Sequence, residues 1–122
     1  MKDEENAESV DVEVRPLDSY EFAAVRAIKI DVEGAELGVL EGGRATIARH
    51  KPLLLVEIEQ RHHDDPIDRI FETVLGMGYC GEFVLPGRGI TPLSEFRVDL
   101  YQRAPVGDGG HTYVNNFFFR PA

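Results

Sequence analysis

Apolar runs and helical periodicity alternate through the first two-thirds of the chain. Ala27 to Val32 and Leu53 to Ile58 are short runs rich in isoleucine, valine and leucine, which is typical of strands. Between them, Ala35 to His50 has helical spacing. The predicted apolar side of this helix consists of Leu37, Leu40, Ile47 and Ala48. The second strand opens with four consecutive apolar residues, so we expect it to be covered on both faces, as in a parallel sheet.

A second helix is predicted after Asp65. Asp65 is a favourable N-cap and Pro66 is a favourable first helical residue. The apolar residues at i, i+3, i+4, i+7 and i+8 are Ile67, Ile70, Phe71, Val74 and Leu75. Gly76 and Gly78 are expected to end this helix.

The pattern changes after this helix. Tyr79 to Leu85, Phe96 to Tyr101 and Tyr113 to Phe119 are predicted strands, separated by Pro-Gly and Gly-rich turns with no helix between them. The whole order predicts an α/β fold in which parallel strands with helices are followed by antiparallel strands.

The N-terminal region is strongly acidic. The first thirteen residues contain six Asp or Glu against Lys2, a net charge of −5 out of −9 for the whole chain. We expect residues 1–9 to be a disordered acidic segment and residues 10–122 to form one domain. Val10 to Val14 alternates apolar and acidic residues, as a strand does. Leu17 to Val25 is predicted to form a helical turn capped by Asp18 or Ser19.

Composition limits the environment and the classes of partner. The acidic chain has no cluster of Lys and Arg, which argues against binding to nucleic acid or to an anionic membrane. It has no apolar run near the roughly 20 residues of a membrane span and no secretory signal, so we expect a cytoplasmic location. The single cysteine, Cys80, excludes an intrachain disulfide and is predicted to be a small buried residue.

Carboxylates follow both predicted parallel strands. Asp31 and Glu33 come at the end of the first strand, and Glu57 and Glu59 at the end of the second. The i, i+2 spacing directs each pair to one side of an extended backbone. The ends of parallel strands meet at one edge of a sheet, which is where ligands bind in open α/β folds. The sequence therefore predicts an acidic rim at this edge.

Three interpretations of the rim remain open. Its carboxylates can hold hydroxyl groups or act as a general base, or they can bind a divalent cation, or they can cap the helices that follow. His62 and His63 come directly after the rim, where they are either an exposed loop pair or part of the site.

One glycine motif is a false match. Gly76 to Gly81 fits the letters of the G-x-G-x-x-G nucleotide-binding motif. That motif must leave a strand and open a helix, because the phosphate lies at the helix N-terminus. Here the glycines end a predicted helix and open a strand, so we assign them no binding role.

Several segments, in chain order, resemble one family. They are VRPLDSY (14–20), IKIDVEGAE (28–36), LEG (40–42), PLLLVE (52–57) and YVNNFF (113–118). This set resembles the C-terminal half of FkbM-type methyltransferases, and IKIDVEGAE followed by VLEGG is its most specific part. The resemblance implies half of a class I, Rossmann-like methyltransferase sheet, with 28–32 as the fourth strand of the full fold and 53–58 as the fifth.

The resemblance also implies chemistry. Members of the family resemble O-methyltransferases that use S-adenosylmethionine and act on a small-molecule substrate, a hydroxyl group of a sugar or natural product. Asp31 matches the acidic position beside the methyl donor, so it is the implied cofactor-binding and catalytic residue, with Glu33 as the second catalytic candidate. The candidate substrate-binding residues are Glu36, Glu57, Glu59 and His62. No residue is assigned to a metal.

The glycine loop that holds most of the donor lies upstream of the resembling half in this family. We therefore expect a truncated methyltransferase that is inactive and does not bind S-adenosylmethionine alone. The family's first strand would also pair with residues 28–32, whose outer edge is expected to be open here. We expect Val10 to Val14 to cover that edge, or the chain to form a homo-oligomer through it. The alternatives are a non-catalytic dimerising or partner-binding module, and a metal-binding protein that uses the acidic rim alone.

Overall fold

Five strands form a single mixed sheet in the structure, a computed structural model that describes residues 7–103 and 112–122. The strands are β1 Ala27–Ile30, β2 Leu53–Glu57, β3 Tyr79–Leu85, β4 Gly89–Pro92 and β5 Asn116–Pro121. Their spatial order is β1-β2-β5-β3-β4. Strands β1 and β2 are parallel, and the other neighbouring pairs are antiparallel. The predicted order of parallel strands followed by antiparallel strands is confirmed.

Helices cover one face of this sheet. They are α1 Glu36–Gly42, α2 Arg44–His50, α3 Asp68–Gly76 and the short α4 Val98–Tyr101. Alternate strand residues such as Leu54, Val56 and Phe117 are buried beneath them, and the ring of Phe71 in α3 lies 4.8 Å from the ring of Phe117. This apolar layer is the core of the fold. None of the helices in the described ranges combines the length and the apolar character needed to cross a membrane.

The helix predicted over residues 35–50 is two helices. They meet at Gly43, where a Cβ atom would come within 3.0 Å of Leu17 Cδ2. Leu40 and Ile47 are buried as predicted. The predicted apolar side is wrong for Leu37 and Ala48, which are exposed. The break at Gly43 changes the phase of the second helix, so a single helical period does not describe both.

Helix α3 begins at Asp68, later than predicted. Ile67, and not Asp65, is at the N-cap, and the Asp65 carboxylate lies 3.4 Å from Nη1 of Arg69. The amide of Ile67 donates instead to Oε1 of Gln60, at 3.0 Å. The predicted apolar face is buried except for Leu75, which is exposed near the end of the helix.

Two predictions for the C-terminal third are wrong. Phe96 to Tyr101 is not a strand, because residues 98–101 form helix α4 and Phe96 turns its ring into the core, 4.9 Å from the ring of Phe117. Strand β3 pairs with β5 on one side and, on the other, with β4, which was not predicted. Strand β3 has its predicted bounds, and Cys80 within it is half-buried. Strand β5 begins three residues later than the predicted Tyr113.

The N-terminal prediction also changes. Val10 to Val14 is exposed and forms no strand, so it does not cover the edge of β1. The predicted helical turn is a short 3-10 helix, Leu17–Ser19. Asp18 caps a different helix, because its carboxylate accepts hydrogen bonds from the backbone amides of Ala45 and Thr46 in α2, at 3.0 and 2.8 Å. Most of the predicted acidic segment 1–9 lies outside the described residues.

One face of the sheet and one of its edges are open within the described residues. Strand β1 lies at the edge of the sheet and pairs only with β2 there. Leu53 in β2 is 57% exposed and Phe118 in β5 is 43% exposed, both on the face opposite the helices. The prediction that β2 is covered on both faces is therefore wrong for this part of the chain, because its helices all pack on the same side.

Candidate functional site at the acidic rim

Three segments of the chain meet at one edge of the sheet. Ile30 at the end of β1 pairs with Val56 in β2, and this parallel register places Asp31 beside Glu57. Strand β5 starts at the same edge, where Asn116 pairs with Glu57. The edge is thus the carboxyl end of two parallel strands and the amino end of an antiparallel one.

Glu57 lies at the centre of this edge. Its Oε1 accepts a hydrogen bond from Nδ2 of Asn115, at 3.1 Å. Partial burial and then the neighbouring charge of Asp31 raise the pKa of the Glu57 carboxyl, and Glu59 adds a smaller effect in the same direction. Glu57 therefore takes up a proton more readily than an ordinary glutamate.

Glu59 has the opposite environment, although it lies only two residues away. Burial alone would raise the pKa of the Glu59 carboxyl, but hydrogen bonds from Tyr113 and Arg61 outweigh it and the pKa is lowered. The Tyr113 hydroxyl donates to Oε2, and Arg61 Nε donates to the same oxygen at 3.0 Å. Burial and this contact raise the pKa of Tyr113 to about 12. Glu59 is therefore a fixed anion at neutral pH.

A glutamine side chain joins the segments that carry these groups. Nε2 of Gln102 donates to the carbonyl oxygens of Ile58 and Val114, at 2.8 and 2.9 Å. Its Oε1 accepts from the backbone amide of Gln60 at 2.7 Å. Because Ile58 and Val114 each lie next to a rim residue, Gln102 fixes the spacing between the end of β2 and the segment that leads into β5.

The other predicted site residues lie around this centre. Glu33 is exposed in a turn with a φ of 45°, so the backbone does not stay extended from Asp31 to Glu33 as predicted. Its charge acts on Arg61 instead. His62 lies close enough to Glu59 for its charge to contribute to the lowered pKa of that carboxyl. The structure thus brings Asp31, Glu57 and Glu59 together, with Glu33 and His62 at the border.

Glu36 lies in the interior and not at the rim. It is fully buried, and its two oxygens contact the amide of Gly34 at 2.8 Å and Nε2 of His63 at 3.2 Å. The side chain therefore ties the turn after β1 to the loop after β2. Its substrate-binding role stays a prediction, and these contacts favour a positioning role.

The uncharged half of the site was not predicted from the sequence. Tyr113, Asn115 and Gln102 all lie in the C-terminal third, far along the chain from the carboxylates and the strand end they contact. A usable signal was present, because YVNNFF places one tyrosine and two asparagines directly before an apolar strand. No pattern in the sequence marks Gln102.

A metal interpretation gains no support from the geometry. Within residues 7–103 and 112–122, no three His, Cys, Asp or Glu side chains are grouped so that they could hold a metal ion. The carboxylates of Glu57 and Glu59 are bound instead by Asn115, Tyr113 and Arg61.

Fold and site together define a mixed α/β protein with an acidic rim at the ends of its parallel strands. The sequence profile of the methyltransferase FkbM domain matches residues 2–80. The chain therefore belongs to the FkbM methyltransferase family, as its motifs predicted. No curated protein and no solved structure matches it.

Proposed function

We propose that this chain is the C-terminal part of an S-adenosylmethionine-dependent methyltransferase whose rim binds the acceptor hydroxyl group of a sugar or natural product. The observation that carries the proposal is the juxtaposition of Asp31 and Glu57 at the ends of two parallel strands. Carboxylates bind hydroxyl groups well, and family membership supplies the class of reaction.

Within this proposal Glu57 accepts the proton of the substrate hydroxyl. A general base works best when its pKa lies near the working pH, and the pKa of Glu57 is raised in that direction. Asp31 keeps that pKa high and accepts a second hydrogen bond from substrate or donor hydroxyls. Two neighbouring carboxyls with opposite shifts, here Glu57 and Glu59, are typical of an acid–base site.

The turn after β1 favours a donor site that lies mainly outside this part of the chain. Methyltransferases of the family generally use S-adenosylmethionine, which supplies the methyl group. The turn between β1 and α1 contains one glycine, Gly34, and a Cβ there would come within 3.0 Å of the His62 carbonyl oxygen. Since protein atoms already fill that side of the turn, it offers no cradle for a nucleoside. We propose that the donor is held mainly by a segment outside these 122 residues.

The exposure of the rim also supports a site that is shared between this chain and a second segment. Asp31 is exposed and Glu57 is only half-buried, whereas methyl transfer benefits from the exclusion of water. The bare sheet face around Leu53 and Phe118 and the unpaired edge of β1 give a second segment a place to pack. Such a segment would cover the rim and the apolar surface together.

Calorimetry tests whether the methyl donor is held by this chain or by a second segment. S-adenosylmethionine and its demethylated product are titrated into this chain alone, and into its mixture with a polypeptide that carries the donor-binding half of an FkbM-family enzyme. We expect no heat from the chain alone up to millimolar ligand, and micromolar binding by the mixture. Micromolar binding by the chain alone would overturn the division.

Label transfer tests the chemistry. The mixture is given methyl-labelled donor and a panel of sugars and polyols. We expect Glu57→Gln to lower the transfer rate about 100-fold, because general bases contribute roughly that much. Glu72→Gln, an exposed change on α3, is the matched control and should retain the rate. A full rate for Glu57→Gln would remove Glu57 from its role, and donor binding without transfer to any hydroxyl would remove O-methylation.

A second function is favoured by one observation. A sheet with a bare apolar face and an open edge is also suited to a non-catalytic module that dimerises or docks on a partner. Light scattering separates this function from the first. A stable dimer that neither binds donor nor gains activity in the mixture would support it, and a monomer that becomes active in the mixture would contradict it.

A further inference from the structure

Asn115 is the neutral donor of the rim that contacts Glu57, and its role goes beyond holding the fold. Its Nδ2 donates to Oε1 of Glu57 at 3.1 Å, although 58 residues separate the two along the chain. Its backbone carbonyl accepts from the amide of Ile58 at 2.8 Å. Asn115 is therefore anchored to β2 through its backbone one residue beyond the glutamate that its side chain contacts.

The anchoring is reinforced on both sides. Gln102 binds the carbonyl oxygens of Ile58 and Val114, which are the direct neighbours of Glu57 and Asn115 in the chain. Nδ2 of Asn116 donates to Oδ1 of Asn115 at 3.3 Å, which fixes the orientation of the Asn115 amide. With its oxygen engaged by Asn116, the amide presents its nitrogen to Glu57.

The consequence for Glu57 concerns its two oxygens. The groups that face its carboxylate are Asp31 from the end of β1, Glu59 two residues on, and Asn115, while Arg61 and Tyr113 bind Glu59. Among these, Asn115 is the N–H donor to Glu57 and engages Oε1, whereas Asp31 and Glu59 lie within hydrogen-bonding reach of the carboxyl when it is protonated. A proton that arrives at Glu57 is therefore directed to the other oxygen, Oε2.

We propose that Asn115 is a positioning residue that holds Oε1 of Glu57, so that Oε2 alone receives the proton of the substrate hydroxyl. The proposal rests on the proposed function of the rim. The O–H bond of the substrate breaks, its proton goes to Oε2, and its electron pair stays on the substrate oxygen that attacks the methyl group. Asn115 keeps its own protons and is not a catalytic residue.

The first test uses the unmodified chain. The side-chain amide resonances of Asn115 are followed by NMR from about pH 3 to pH 8, together with the Glu57 carboxyl carbon, which is assigned by its loss in Glu57→Gln. We expect both to titrate with the same midpoint, because the amide donates to the group that gains the proton. An Asn115 amide that does not respond to the Glu57 titration would overturn the proposal.

Variants give the second test. Asn115→Leu has a similar shape without the donor, so the pKa of Glu57 should rise further above its wild-type value, and Asn115→Asp should raise it more. Glu72→Gln on α3 is the control, because Glu72 is exposed and is not one of the groups that act on Glu57, so this variant should leave the Glu57 pKa close to the wild-type value. A purely structural role would leave the Glu57 pKa unchanged in a folded Asn115→Leu chain.

Rate measurements on the mixture of this chain with the donor-binding polypeptide distinguish this inference from the proposed function. There, Asn115→Leu should shift the acidic limb of the pH–rate profile upward in step with the Glu57 pKa, with about a 10-fold loss of rate near neutral pH. An unshifted limb with a normal effect of Glu57→Gln would remove Asn115 alone. A full rate for Glu57→Gln would remove the proposed function, whatever Asn115 does.

Discussion

The hydroxyl of Tyr113 donates a hydrogen bond to Oε2 of Glu59, which lies 54 residues earlier in the chain. This contact joins the segment before β5 to the end of β2. Glu59 is buried, so its charge is tolerated only because Tyr113 and Arg61 bind it. The fold and the ionisation of the rim therefore depend on the same hydrogen bond.

Removal of this hydroxyl should weaken the fold in a pH-dependent way. The pKa of Glu59 is lowered in the folded chain, so ionised Glu59 stabilises the fold above its unfolded pKa of about 4.3, and this stabilisation is lost as the pH falls through the folded value. We expect Tyr113→Phe to reduce the free energy of unfolding by about 1 kcal/mol at neutral pH, and by less near pH 3. Denaturant unfolding at both pH values measures the difference. An equal loss at both would contradict the role of the Glu59 charge.

Glu57 should behave in the opposite sense. Its pKa is raised in the folded chain, so its ionisation destabilises the fold as the pH rises through the unfolded and then the folded value. We expect Glu57→Gln to raise the melting temperature at neutral pH by about 2 °C, and to have little effect near pH 3, where the carboxyl is protonated in both states. Thermal unfolding followed by circular dichroism tests this. A lower melting temperature at neutral pH would show that the charge of Glu57 is stabilising instead.

Asp18 offers a test of the long-range helix cap. Hydrogen bonds from the Thr46 amide, the Thr46 hydroxyl and the Ala45 amide lower the pKa of Asp18, so the cap stabilises the fold when the carboxyl is ionised. We expect Asp18→Ala to lower the melting temperature by several degrees at neutral pH and by much less near pH 3, below the pKa of an unfolded Asp. Ser19→Ala is the control, because the Ser19 hydroxyl bonds only locally, to the Pro16 carbonyl. Equal losses in both variants would contradict the capping role.

Gly34 and Gly38 form a matched pair of positions at which alanine should change the free energy of unfolding in opposite directions. Gly34 has a φ of 114° and lies against the His62 carbonyl, whereas a Cβ atom at Gly38 in α1 would meet no described atom within 4 Å. We expect Gly34→Ala to lower the free energy of unfolding by about 1 to 3 kcal/mol, because alanine is strained at positive φ. Gly38→Ala should raise it by about 0.5 to 1 kcal/mol through its better helix propensity. Denaturant unfolding of both variants decides, and a neutral Gly34→Ala would contradict the close packing of the turn.

The carboxylates of the rim could be found from the sequence because their positions follow from strand periodicity. Asp31 and Glu57 directly follow apolar runs, and parallel strands bring such ends together whatever the rest of the chain does. The same periodicity identified β1, β2, β3 and α3 to within a few residues. These features depend on local pattern and on one topological rule.

Features set by distant contacts could not be predicted in this way. Asp18 sits beside a local turn and caps a helix 27 residues away, and Phe96 looks like a strand residue but enters the core from the segment before α4. The position of Glu36 depends on His63. The sequence pattern predicted His63 at the rim, whereas in the fold its imidazole contacts the buried Glu36 carboxylate. In each case a tertiary partner, and not the neighbouring sequence, decides the outcome.

The cap that Asp18 provides also defines where this domain can be divided during evolution. Irregular chain separates Tyr20 from β1, and strand order alone would suggest a natural module boundary there. The carboxylate of Asp18 makes residues 16–20 part of the same folding unit as α2. Gene fission or recombination between Tyr20 and Ala27 would therefore separate a helix from its cap, whereas a crossover before Pro16 would leave both in the same inherited piece.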